Sequence, residues 1–173
     1  MLISWCDVDP ATRYPIAASG IDVFELGPDK TPTRWSQVAL NLLARTPDRI
    51  AVMGNSFGGI ETVLGAERGG YCAAVDASGG AESWDEAPGL HEVMLHAVQH
   101  SPIPIFFFQA ENDYSLAPSR TLYEAMMAAK KRAEIRIYPP YGNSHQEGHS
   151  FAYRGASIWI DDVARFLEAN CRH

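Results

Sequence analysis

The sequence predicts an α/β fold, a mainly parallel sheet sandwiched between helices in three layers, and three observations carry that prediction. Short apolar runs at residues 50–53, 72–75 and 103–108 are unbroken rather than alternating, the pattern of strands buried on both faces of a parallel sheet. Segments of helical periodicity separate these runs, so strands and helices alternate along the chain, which specifies right-handed crossovers with helices on both faces. Finally, 173 residues with 46% hydrophobic and 20% charged side chains suffice for one sizeable core, so a single domain over residues 1–173 is expected.

Taken in order, residues 1–32 are the least regular. Residues 2–5 and 21–26 each suit a short strand, with turn-rich sequence at 7–14 between them and Gly27-Pro28-Asp29 after them. Trp35, Val38, Ala39, Leu42 and Leu43 recur at helical spacing, with Thr33 as N-cap and Pro47 as terminator. The buried strand 50–53 follows, then a helix through residues 60–66 that stops at Gly69-Gly70, then the strand 72–75 and a loop from Asp76 to Gly80. Residues 88–100 read as a helix. The run 103–108 is the most strand-like in the chain, with Pro102 and Pro104 near its start, where a missing N–H is tolerated. An alanine- and methionine-rich helix over 119–131, a last strand over 135–138 and a helix over 156–170 complete the pattern. The final helix is expected to bury Ile158, Trp159, Val163, Phe166 and Leu167.

Charge and cysteine usage exclude several classes. A formal net charge of -7 argues against nucleic acid or an anionic membrane as partner, because phosphate binding needs clustered Lys and Arg, and only Lys130-Lys131-Arg132 clusters here. Cys6, Cys72 and Cys171 are odd in number, widely spaced and without a Cys-x-x-Cys, so free thiols in a reducing compartment are expected. The N-terminus shows neither a basic n-region nor a long apolar stretch, and no later run reaches membrane-spanning length, which points to the cytoplasm.

The chemistry centres on Gly54-Asn55-Ser56-Phe57-Gly58, placed directly after a buried strand and before a helix. This Gly-x-Ser-x-Gly is a nucleophile elbow: the turn is so sharp that a Cβ two residues before or after the serine would meet backbone. Ser56 then stands at the carboxyl edge of the sheet, and the Phe57 N–H, at a helix N-terminus, suits a developing oxyanion. A serine hydroxyl needs a base to take its proton and a third group to orient that base, so a carboxylate and a histidine are required at the ends of later strands. Asp76, Glu111 and Asp113 are candidate acids, and His145 and His149 candidate bases.

The elbow, Gln109-Ala110-Glu111-Asn112-Asp113 after a strand, and Glu147-Gly148-His149-Ser150-Phe151 near the end resemble the α/β-hydrolases, specifically the dienelactone-hydrolase-like branch with serine as nucleophile. The resemblance runs from about Trp35 to the C-terminus and implies an α/β-hydrolase-like fold reduced on its N-terminal side. It implies Asp113 as the acid and His149, in a Gly-His-x-Phe pattern, as the base. Residues 1–32 contain no Gly-Gly or His-Gly loop, the usual carrier of a second oxyanion donor. The loop from Pro140 to Gln146 is longer than the fold requires and is expected to overhang the site.

The expected activity is therefore that of a carboxylesterase or lactonase cleaving a small ester through Ser56, His149 and Asp113, with no cofactor and no metal. Acyl transfer to an acceptor other than water is open to the same residues. The alternative is a weak or inert hydrolase-like domain used for binding or assembly, because a missing strand would leave residues 50–53 with an unpaired edge. Either residues 2–5 or 21–26 fill that place, or a second copy pairs there as a homodimer. His91, His96 and His100 lie on one helix, but His91-Glu92-Val93-Met94-Leu95-His96 has one residue too many for a His-Glu-x-x-His zinc helix, and a solvated face is expected. Phe57, Trp84, Tyr114, Phe151 and Tyr153 border the site in sequence, each a candidate for an apolar pocket or for the core.

Overall fold

The computed structural model describes residues 2–3 and 47–171. The expected strand at 21–26, the helix after Thr33 and Cys6 lie outside the described residues. Five parallel strands run in chain order across one sheet: β1 (Leu2–Ile3), β2 (Ala51–Asn55), β3 (Ala73–Ala77), β4 (Ile105–Ala110) and β5 (Ala133–Tyr138). The α-helices among the described residues are α1 (Phe57–Arg68), α2 (Pro88–His100), α3 (Ala117–Ala128), α4 (His145–His149), α5 (Phe151–Arg154) and α6 (Ala156–Asn170). The place beside the elbow strand is taken by Leu2–Ile3, paired with Ala51 and Val52, the first of the three possibilities.

Why the central strands are continuously apolar is visible in β4. Alternate residues point to opposite faces, so Ile105 and Phe107 join Met94, Val98, Leu122 and Met126 of α2 and α3, while Phe106 and Phe108 join Trp159, Val163 and Phe166 of α6. Both faces are covered, and neither tolerates a polar side chain without a partner. On α6 the buried set is Trp159, Val163 and Phe166, spaced four and three apart. Ile158, expected in the core, is 52% exposed, because one residue before Trp159 lies about 100° around the helix from that stripe.

Several boundaries move. β2 runs on through Gly54 and Asn55, β3 takes in Asp76 and Ala77, and β4 starts and ends two residues later than expected. In each case ladder hydrogen bonds to the neighbouring strand, as Gly54 to Asp76 and Asn55 to Ala77 in register, override the end of the apolar run. The segment before His149, read as loop, contains α4. Its start is a Ser-x-x-Glu cap: Ser144 accepts from the Glu147 N–H at 3.2 Å, and Glu147 in turn accepts from the Asn143 N–H and the Ser144 hydroxyl. These donors hold the Glu147 carboxyl below its ordinary pKa.

The cysteine reading is corrected. Cys72 and Cys171 form a disulfide that ties the entrance of β3 to the end of α6 across 99 residues. Odd number and wide spacing concealed a pair that only the packing of α6 on the sheet brings together, and the thiol argument for a reducing compartment falls with it. No helix among the described residues is long and apolar enough to cross a membrane.

Candidate active site

The elbow forms where β2 turns into α1. Ser56 holds φ 58 and ψ -119, a strained conformation for a residue with a Cβ. Backbone bonds hold it there: its N–H donates to the Ala77 carbonyl at 2.9 Å, and its own carbonyl accepts from Gly59 and Ile60. A Cβ on Gly54 would overlap the Gly58 carbonyl, which is the crowding the sequence motif anticipates. Gly59 is constrained as well, since a Cβ there would overlap the Asp76 carboxylate and Gly79. Phe57 occupies the first position of α1, where backbone N–H groups have no partner within the helix.

Three elements far apart in sequence meet at Ser56. His149, the last residue of α4, places Nε2 2.8 Å from Ser56 Oγ and Nδ1 2.8 Å from Asp113 Oδ1. Asp113, on the loop after β4, has a side chain with no exposed surface, and both its oxygens are engaged. Oδ1 also accepts the Tyr114 N–H at 2.7 Å, and Oδ2 accepts from Gln109 Nε2 at 3.1 Å. Gln109 is itself buried in β4 and donates to the Ser115 carbonyl too, so the acid is held from its own strand. The hydrogen bond that His149 donates to Asp113 raises the His149 pKa above its ordinary value against the opposing effect of burial, with the charges of Asp113 and Glu82 adding to the rise.

The loop that brings His149 in is fastened by Asn112. Its side-chain oxygen accepts the Tyr141 N–H at 2.8 Å, and its amide donates to the carbonyls of Tyr141 and Ser144 at 3.0 and 2.9 Å. A Cβ on Gly148 would approach the Asn112 backbone at 2.7 Å, so the glycine before His149 is there for close approach. The long loop reaches Tyr114, whose hydroxyl donates to Gln146 and whose ring meets His149 edge-on at 5.3 Å.

The rival residues lie elsewhere. His145 turns its Nδ1 toward the carbonyls of Asn112 and Asp113 and stacks on Tyr114. Glu111 is exposed, one residue past β4. Asp76 is fully buried in β3, accepts the Gly79 N–H at 2.9 Å, and has its other oxygen without a partner. Burial pushes its pKa up to about 7. His91 stacks on Trp84 and hydrogen-bonds its carbonyl, a structural role. Of the aromatic candidates, Trp84 and Phe151 are core, whereas Phe57, Tyr114 and Tyr153 are exposed at 65%, 39% and 71%. The roles of Gln109, Asn112 and Tyr114 escape sequence reasoning because each acts through a tertiary partner, although Gln109 as a polar residue in an otherwise apolar strand is a visible signal.

Such an arrangement can draw a proton from a serine hydroxyl to an imidazole whose charge a buried carboxylate offsets. Residues 23–170 match the family model described as Dienelactone hydrolase family. Among curated protein sequences, none matches the chain. Among solved structures, an acylaminoacyl peptidase of Pyrococcus horikoshii superposes with a TM-score of 0.59 at 15% identity, covering 78% of this chain and 26% of that one. An esterase of Pyrococcus furiosus gives 0.56 at 16% identity over 78% of this chain and 59% of that one. Dipeptidyl peptidase 4 of Porphyromonas gingivalis gives 0.57 at 19% identity, covering 79% and 22%. At such identities the likeness shows the fold alone, that of α/β-hydrolases, and this chain spans only 26% and 59% of the first peptidase and the esterase.

Proposed function

The chain belongs to the dienelactone hydrolase family, and from that premise we propose that it is a serine hydrolase cleaving a small ester or lactone through Ser56, His149 and Asp113. The observation that carries this reading is the pair of 2.8 Å contacts that put His149 between the Ser56 hydroxyl and the Asp113 carboxylate. Oγ of Ser56 attacks the substrate carbonyl carbon while its proton passes to His149 Nε2, and the carbonyl electron pair moves onto oxygen as an oxyanion beside the Phe57 N–H. His149, now an imidazolium stabilised by Asp113, gives the proton to the leaving alkoxide as the C–O bond breaks. Water then attacks the acyl-serine, its proton taken by His149 and returned to Ser56 Oγ, and the acid is released. No cofactor enters these steps.

The oxyanion donor counted here is one N–H, and a single such donor is worth about 10²–10³ in turnover. The exposed rings of Phe57 and Tyr114, one next to the nucleophile and one against His149, favour a substrate with an apolar acyl or alcohol portion.

The test is pre-steady-state hydrolysis of p-nitrophenyl acetate, p-nitrophenyl butyrate and a small aromatic lactone. A burst of one equivalent of nitrophenol per chain, absent in Ser56→Ala, is expected. A folded protein with neither burst nor turnover above that of His149→Ala overturns the proposal in favour of an inert binding domain. Product appearing only with added alcohol or amine would assign acyl transfer instead.

A further inference from the structure

On the sheet face that carries α1–α3, well away from Ser56, two helices converge on three side chains that the hydrolytic reading does not use. His96 and His100 stand one turn apart on α2, their rings stacked at 4.1 Å. Glu67, in the last turn of α1, reaches across so that its Oε1 lies 2.9 Å from His96 Nδ1. One ligand atom from each of the three falls within 4.8 Å of the others.

We propose that Glu67, His96 and His100 form a binding site for a divalent transition-metal cation, with Zn²⁺ the best match. Two imidazoles and one carboxylate are the donor set that suits a borderline cation such as Zn²⁺, whereas Mg²⁺ and Ca²⁺ prefer oxygen alone. His100 presents Nε2, because its Nδ1 is occupied by the His96 carbonyl at 2.8 Å, a bond that fixes the ring as ligating histidines are commonly fixed. His96 presents Nδ1, already at the carboxylate; the cation takes the place of the proton shared between them. Bond lengths of about 2.0–2.2 Å require the three donors to close up by small side-chain rotations, which exposed groups make freely, and solvent fills the remaining coordination positions. Glu92, one turn before His96 on the same helix, adds negative charge nearby.

Such an ion would join the end of α1 to the end of α2. Ser56 lies at the opposite end of α1, eleven residues from Glu67 and so about 16 Å away along the helix axis, and the ion has no part in the chemistry there. Its effect is on stability, since a cation that binds the folded chain and not the unfolded one raises the melting temperature by mass action. His96 and His100 alone read as an ordinary solvated pair; the third donor, Glu67, is almost thirty residues earlier in the chain and meets them only through the packing of α1 on α2.

The experiment is calorimetric titration of the intact protein with ZnCl₂, together with thermal denaturation with and without Zn²⁺, and visible spectroscopy with Co²⁺ as a reporter. One Zn²⁺ per chain, a melting temperature that rises with Zn²⁺, and Co²⁺ d–d bands are expected. His100→Ala and Glu67→Gln should each weaken binding at least about tenfold, the loss that even indirect support of a metal site can cause. His149→Ala should leave the titration unchanged, which separates this site from binding at the triad residues. Circular dichroism of each variant confirms folding, since all three side chains are partly or fully exposed. No heat and no thermal shift at millimolar Zn²⁺, or binding undiminished in both His100→Ala and Glu67→Gln, would overturn the proposal.

Discussion

Two neighbouring strands, β3 and β4, bring buried aspartates to the same edge of the sheet, Asp76 next to the end of β3 and Asp113 on the loop after β4, and their surroundings differ in every respect that matters for chemistry. Asp113 has donors on both oxygens and faces His149. Asp76 receives one backbone N–H, keeps the other oxygen without a partner, and is pushed up to about 7 by burial. One carboxylate is held by donors on both oxygens next to a base; the other favours a neutral carboxyl beneath the elbow. The difference teaches that burial alone does not make a catalytic acid. What distinguishes them is the set of hydrogen-bond donors around each: Gln109, the Tyr114 N–H and His149 at Asp113, against the Gly79 N–H alone at Asp76.

The sharpest way to break this comparison is to exchange the two roles. Asp113→Asn should lower kcat by about 10³–10⁴ while leaving the fold intact, since the amide cannot stabilise the imidazolium or hold the correct tautomer. Asp76→Asn should leave kcat within a few-fold, measured on the same ester. Equal losses in the two variants would mean that Asp76 takes part in the reaction.

Stability should reverse the ranking. Because the folded pKa of Asp76 is raised, its neutral form contributes stability that is full below the unfolded value near 4 and is lost as pH rises through about 7. The parent should therefore weaken by up to about 4 kcal/mol between pH 4 and 8 from this group, and Asp76→Asn should flatten that dependence in urea melts. For scale, Cys171→Ser, which opens the bond to Cys72, should cost about 2–4 kcal/mol in the same melts.

A smaller effect is expected at Gln109. Replacing it by Leu removes the donor to Asp113 Oδ2, a bond to a charged group worth about 1.5–3 kcal/mol, so kcat/KM should fall roughly tenfold or somewhat more, well short of the Asp113 variant. The pH profile sharpens the comparison further. With its pKa raised by Asp113, His149 becomes a base only at higher pH, so the acid limb of kcat/KM should have its midpoint above the ordinary histidine value, and Asp113→Asn should move it down.

Much of the fold was legible because burial on both faces writes itself into residues 50–53, 72–75 and 103–108 as unbroken apolar runs, and because Pro88–His100 and Ala156–Asn170 carry clear helical periodicity. That a carboxylate and a histidine should follow Ser56 was legible for a chemical reason, because the base and its orienting acid must come from later strand ends, whereas Asp113 and His149 were singled out from their rivals by the family resemblance. Most of the failures were matters of tertiary contact. The Cys72–Cys171 bond depends on where α6 ends against the sheet, the exposure of Ile158 on how α6 is rotated, and the clamp of Asn112 on a loop some thirty residues later. The α4 helix is an exception, since Ser144 and Glu147 announce its cap locally.

The most direct test of the central claim is labelling with a fluorophosphonate probe followed by peptide mapping of the parent, Ser56→Ala and His149→Ala. Phosphonylation confined to Ser56 in the parent, and lost in both variants, is the predicted result, because only a serine activated by a base at 2.8 Å reacts with such a probe. A folded parent that stays unlabelled, or one labelled equally well without His149, would contradict it.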